Sequence, residues 1–243
     1  MTEITSQRAE PSRLPASDSW LPYTLPIFVF LLMTNFESSF SSTTPDGQGA
    51  IPFPYAYGAK ILVVGCLTVF SLVRFGLYRE ILPLPRGVNL LLAVGTGLAV
   101  LAFWVGLDGY YPDLPFLGAR TAFDPHTLPP SQRVLFLSAR MFGLVILVPI
   151  FEELFWRSFL MRCLIASDYQ NVPVGKVTVF AALTSSALFA MAHPEWLPAF
   201  LTGVLWSWLL ARTRSLGSCV ISHVVANLAL GIYVLTTQQW KYW

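Results

Sequence analysis

Five stretches of this chain contain no Lys, Arg, Asp or Glu for the length of a bilayer crossing or close to it: residues 19–36, 87–107, 177–194, 196–211 and 215–240. A hydrocarbon core about 30 Å thick needs about 20 mostly apolar residues per helix. A polytopic helical membrane protein is the one class that accommodates all five runs. Composition agrees. Charged residues make up 12% of the chain, against about 25% in a soluble domain. Hydrophobic residues reach 55%, which excludes a disordered chain. A net charge of +2 offers no basic stripe for nucleic acid.

The pattern predicts an all-α bundle of about seven crossings, at residues 19–36, 57–78, 88–107, 133–165, 176–192, 197–211 and 216–236. The fourth is too long. Thirty-three helical residues span roughly 50 Å, and Pro149 lies midway, where it should kink or split the helix. Residues 1–18 are polar and carry Pro11 and Pro15, and we expect a disordered tail there. Residues 19–243 are expected to form one transmembrane domain with a catalytic core at about 133–236. The first apolar run lacks a following small-x-small cleavage site, so it is expected to be an anchor rather than a removed signal.

Lys and Arg concentrate before the first crossing and in the loops after crossings two, four and six, and the intervening loops carry Glu37, Asp46, Asp108, Asp113, Asp124 and Glu195, with Arg120 as the lone exception. That bias places the N-terminus in the cytoplasm. The C-terminus then lies outside, with Trp240, Tyr242 and Trp243 as interfacial anchors. Cys66, Cys163 and Cys219 are an odd number without CxxC spacing, so neither a disulfide framework nor a thiolate zinc site is expected.

Residues 149–160 read PIFEELFWRSFL, with three charges inside a greasy run. Each charge at mid-bilayer costs roughly 2.5–3.5 kcal/mol, so these groups should face the bundle interior or a wet cavity. Glu153 and Arg157 are four residues apart with the acid first, the favourable order for a helical pair. Glu152 is rotated about 100° from Glu153, so Arg157 cannot serve both equally. That assigns Glu152 to chemistry. A carboxylate in a low-dielectric cavity is a stronger base than one in water. A purely structural ion pair is the competing reading for Glu153 and Arg157.

Two later segments each add an imidazole. Phe189 and His193 share one helix face, and so do His223 and Asn227. His126, beside Pro125 in a polar loop, reads as solvated.

The ordered set Glu152-Glu153-x-x-x-Arg157, Phe189-x-x-x-His193 and His223-x-x-x-Asn227 resembles the three motifs of the CAAX-protease and bacteriocin-processing family of intramembrane proteases, over about residues 148–230. The wording around Glu152 resembles bacterial CAAX prenyl protease-related members, which can accompany exosortase systems. Many relatives have Gly after the motif Arg, where this chain has Ser158. The resemblance implies endoproteolysis of a membrane-associated protein or peptide, in a bacterial inner membrane. Glu152 would activate water, His193 would position it, and His223 and Asn227 would stabilise the oxyanion, with Glu153, Arg157 and Phe189 in support. No cofactor is needed in that scheme. A zinc version using Glu152, His193 and His223 with a water as fourth ligand stays open, although no HExxH is present. A non-enzymatic immunity or scaffold protein and a proton or ion relay are the competing functions. One conflict stands in this topology: His193 falls near the outer end of its helix and His223 near the inner end of its own.

Overall fold

A computed structural model describes residues 20–40, 53–118 and 122–242. The expected tail at 1–18, Arg120, most of the loop after the first helix and Trp243 lie outside the described residues. Eight helices are present among those described: α1 (Leu21–Phe40), α2 (Phe53–Arg74), the single turn α3 (Tyr78–Ile81), α4 (Gly87–Gly106), α5 (Pro130–Cys163), α6 (Val179–Met191), α7 (Trp196–Thr213) and α8 (Leu216–Thr237). Four of them, α2, α4, α5 and α8, are long and apolar enough to cross a membrane. The described apolar part of α1 and the whole of α6 are shorter. Large apolar side chains such as Leu62, Val69, Val73, Leu91, Val179 and Phe180 point outward. On a soluble protein such a surface would be an aggregation liability, whereas in a bilayer it faces its own solvent.

The long fourth crossing is one helix, and Pro149 neither splits it nor stands alone. Residues Gly143–Leu147 are wound as a π-helix, and so are Leu154–Leu160. The first π segment ends beside the proline. Val148 N–H donates to the Gly143 carbonyl, one residue further back than in an α-helix. Pro149 has no N–H. The Leu144 carbonyl therefore loses both its α-type and its π-type backbone donors. The Asn227 side chain supplies one instead, with Nδ2 donating to Leu144 O at 2.8 Å. A residue of the third motif thus docks into the backbone irregularity just ahead of the first.

Small residues set the close helix approaches. On α4, Ala93, Thr96, Gly97, Val100 and Trp104 form one buried face, and that face packs along α8. A Cβ at Gly97 would collide with the Ser222 carbonyl and would lie 2.9 Å from Val225 Cβ. At the α6–α7 seam, a Cβ at Gly203 would lie 2.8 Å from Ser186 Cα and 2.7 Å from its Cβ. Backbone cannot yield there, so Gly203→Ala is expected to cost about 1–3 kcal/mol, measured as a lower thermal unfolding midpoint in detergent.

One end of the bundle collects Arg74, Arg79, Arg86, Arg162, Arg212 and Arg214. Connectivity and contacts place them together: Arg162 pairs with Glu80 at 3.0 Å, and Gly217 sits under the Ile81 carbonyl. Glu80 also accepts from Tyr23 OH at 2.6 Å and from Ser158 Oγ, while Arg162 Nη2 donates to Ser158 Oγ at 2.7 Å. Ser158 is therefore fully buried and tied by its hydroxyl into a clasp joining α1, α3 and α5. Cys66 is exposed, Cys163 half-buried and Cys219 buried, all as free thiols.

Candidate active site

Glu152 and Glu153 are adjacent on α5 and face different surroundings, as their rotation on the helix requires. Glu152 is buried and lines a cavity of about 770 Å³. His193, His223 and Asn227 line the same cavity. The four groups that the sequence placed on three separate helical segments therefore share one hollow, enclosed by α1, α2, α4, α5 and α8 and by the α6–α7 turn.

Glu153 belongs to the layer behind that wall. Its side chain is wholly buried. Oε1 accepts from His223 Nδ1–H at 2.9 Å, and Oε2 lies 3.4 Å from Arg157 Nε in a contact ion pair. The expected pairing of Glu153 with Arg157 is present, and His223 is a third member that the helical spacing could not reveal. The guanidinium of Arg157 lies 4.7 Å from the Phe189 ring centre and 5.0 Å from that of Trp206, where cation–π attraction offsets part of its desolvation. Trp206, on α7, went unnoticed in the sequence. Its ring lies 4.3 Å from the His223 ring, and its Nε1 donates to Ser222 Oγ at 2.9 Å.

Phe189 carries the second imidazole. Its ring centre is 4.4 Å from that of His193, and its carbonyl accepts from His193 Nδ1–H at 2.8 Å. A carbonyl oxygen only accepts, so Nδ1 bears the hydrogen and Nε2 is the remaining nitrogen. The same reasoning holds for His223 against the Glu153 carboxylate. Both neutral imidazoles are thus held with Nε2 as an acceptor. In that tautomer His223 can donate from Nε2 only as an imidazolium.

The depth conflict between the two histidines is met by a short helix. Thirteen residues of α6 span about 20 Å, roughly 10 Å less than a hydrocarbon core. His193 sits in the turn that follows. The segment after α4 covers that turn: Trp196 Nε1 donates to Pro112 O at 2.9 Å, and Tyr111 packs on Trp196.

Tyr242 is not an interfacial anchor. It is buried and lines the cavity, because the chain turns back after α8 and is pinned by an ion pair between Lys241 and Asp108. Trp240 packs against His126. The Lys241 ammonium, with help from the Tyr242 hydroxyl, holds the Asp108 carboxyl below its usual value, and burial followed by the Asp108 charge pushes the Tyr242 hydroxyl up. A depressed carboxylate contributes above its unfolded pKa of about 3.9 and stops contributing as pH falls through the lower folded value. The clasp is therefore expected to hold from pH 7 to about pH 4 and to open below that. Asp108→Asn should cost under about 1 kcal/mol, read as faster proteolysis of residues 238–242 with little change in unfolding midpoint.

Residues 134–229 match the Rce1-like family, described as type II CAAX prenyl endopeptidase Rce1-like. The matched segment holds all three motifs and bears out the resemblance drawn from them. That family is one of endopeptidases, and together with four apolar helices of spanning length it makes this chain an integral membrane protein similar to membrane proteases. No curated protein and no solved structure matches the chain. The match leaves out α1, α2 and α4, which also line the cavity, through residues that include Tyr57, Lys60 and Trp104. Among the described residues no three His, Cys, Asp or Glu side chains are grouped to hold a metal ion.

Proposed function

We propose that this protein is an intramembrane endopeptidase that hydrolyses a peptide bond of a membrane-associated protein or peptide with a water activated by Glu152. The single observation carrying this reading is the convergence of Glu152, His193, His223 and Asn227 on one cavity.

In the proposed reaction a water donates one hydrogen bond to the Glu152 carboxylate and one to His193 Nε2, which leaves its lone pair free for the carbonyl carbon. Glu152 takes the proton as the C–O bond forms. The oxyanion accepts from His223 in its imidazolium form and from the second N–H of Asn227, whose first is spent on Leu144. Preorganised donors of this kind are worth about 10²–10³ in rate each. Collapse breaks the C–N bond, and Glu152 returns the proton to the leaving amine. Glu153 holds the His223 ring and stabilises its positive charge, the part a carboxylate plays behind a catalytic imidazole elsewhere. No step passes through a metal. The arginine-rich end faces the cytoplasm of a bacterial inner membrane in this reading, following the positive-inside rule.

Protein reconstituted in vesicles with membrane-tethered peptides should release two fragments. In ¹⁸O-water the label should enter only the new carboxyl group, with no covalent adduct on the protein. Chelators should leave turnover unchanged. Cleavage that disappears on chelation and returns with zinc would replace the glutamate mechanism with the metal one.

A further inference from the structure

The chain leaves α8 through Gln238, whose backbone is in the left-handed region at φ 58°. That conformation is uncommon for a residue with a side chain, and it turns the chain back toward the bundle. Two backbone bonds of the following stretch are local: Trp240 N–H donates to Gln238 O at 2.9 Å, and Tyr242 N–H to Gln239 O at 3.2 Å. Side chains fasten the stretch to the rest of the protein. Tyr242 is 6% exposed, packs against the Tyr233 ring and lines the cavity. Lys241 pairs with Asp108, just past the end of α4. The segment that begins at Asp108 reaches the same cavity through Phe116, Leu117 and Gly118. One ion pair therefore joins two stretches of chain that both wall the hollow, at the end of the bundle away from the arginine cluster. The side chains of that pair are 53% and 36% exposed, and an exposed pair contributes little to stability. The fastening is weak on the outside and apolar on the inside.

We infer that residues 239–242 form a strap, hinged at Gln238, that closes the cavity at this end, with Tyr242 as its plug and the Lys241–Asp108 pair as its latch. Its opening admits molecules from the water on that side. Segments at the edge of a fold open locally at a small fraction of the cost of global unfolding, and a latch made of one exposed ion pair leaves such opening frequent. The strap is a device for access. That the access serves hydrolysis rests on the endopeptidase reading.

The test is thiol accessibility in nanodiscs, in protein carrying Leu230→Cys with Cys66→Ser and Cys163→Ser. Leu230 lines the cavity on α8 between Asn227 and the hinge. The probe is a short oligoethylene-glycol maleimide, uncharged so that its rate does not follow the local charge. The parent without Leu230→Cys gives the background from buried Cys219. Asp108→Lys alone and Lys241→Asp alone should each speed labelling by about two- to tenfold. The two together re-form the pair with its charges exchanged and should return labelling to the parent rate. Tyr242→Ala should speed it by at least about tenfold, as a buried aromatic contributes more than an exposed ion pair. Ala226→Cys, another lining position, serves as the probe if Leu230→Cys lowers the unfolding midpoint. Labelling that the single reversals leave unchanged overturns the strap, and so does a double reversal that labels as fast as the singles. Cleavage of a membrane-tethered peptide is followed in the same latch variants without the probe cysteine. Latch-dependent labelling in a protein that cleaves nothing removes the endopeptidase reading and leaves the strap standing. Cleavage in every variant beside latch-independent labelling removes the strap and leaves that reading intact.

Discussion

Glu152→Gln is expected to lower turnover by about 10²–10⁴-fold, the range a positioned general base contributes, with little change in peptide affinity. The amide has nearly the shape of the carboxylate and can still hold a water through its oxygen. It cannot take the proton. The loss should therefore fall on kcat rather than KM, since the interaction removed exists only as the water is deprotonated. Stability should change little, because Glu152 faces the cavity while the buried charge cluster is centred on its neighbour. The check is single-turnover cleavage in vesicles beside the thermal midpoint in detergent. A Glu152→Gln protein with wild-type turnover would end the assignment of the base.

The two neighbouring glutamates illustrate how one helix separates chemistry from support. Residues one apart on a helix differ by about 100° in direction, so when Glu153 turns into the α7–α8 interior, Glu152 has to face the cavity. The π-helical winding on either side of them is a feature often found at functional sites. Here its first segment frees the carbonyl that Asn227 binds, and so ties α8 to α5 at the depth of the site.

Much of this was legible in the chain because apolar runs and helical spacing are local properties. The all-helical membrane class, the Glu153–Arg157 pair and the separation of Glu152 from it all follow from periodicity. The motif order led to one cavity because its residue types are costly in a membrane anywhere else. Other features depend on contacts between distant segments. The Glu153–His223 bond joins residues 70 apart in the chain. Lys60 reads in the sequence as a charge near a helix end. Tyr242 reads as an interfacial aromatic, since nothing local shows that Lys241 will reach Asp108 and draw the tail over the cavity. Ser158 reads as a tolerated small residue, although its hydroxyl works in a clasp with Glu80 and Arg162. A signal was available only for α5: Pro149 in a run too long for one crossing marks an irregular backbone, without specifying that π winding would absorb it.

The second large effect is expected at Glu153, and it separates stability from turnover. Glu153→Gln cannot satisfy both of its contacts. If the amide oxygen accepts from His223 Nδ1–H, the amide N–H₂ is turned toward the Arg157 guanidinium, donor against donor; the opposite rotamer fails at His223. Either way Arg157 stays buried without its counter-charge, and breaking a buried pair from one side costs about 3–5 kcal/mol. Turnover should also fall, by about 10²–10³-fold, because an imidazolium at His223 loses the carboxylate that stabilises it and with it the oxyanion donor. Removing both partners has a different outcome for each property. In Glu153→Gln combined with Arg157→Met, no uncompensated charge remains in the layer, so the unfolding midpoint should recover most of the single-variant loss, a coupling of opposite sign to simple addition. Turnover should not recover, since His223 still lacks its anion. Thermal midpoints and cleavage rates of the two singles and the double decide the matter: stability losses that merely add would show that Glu153 and Arg157 are not energetically coupled, and a double variant with restored turnover would show that His223 needs no carboxylate behind it.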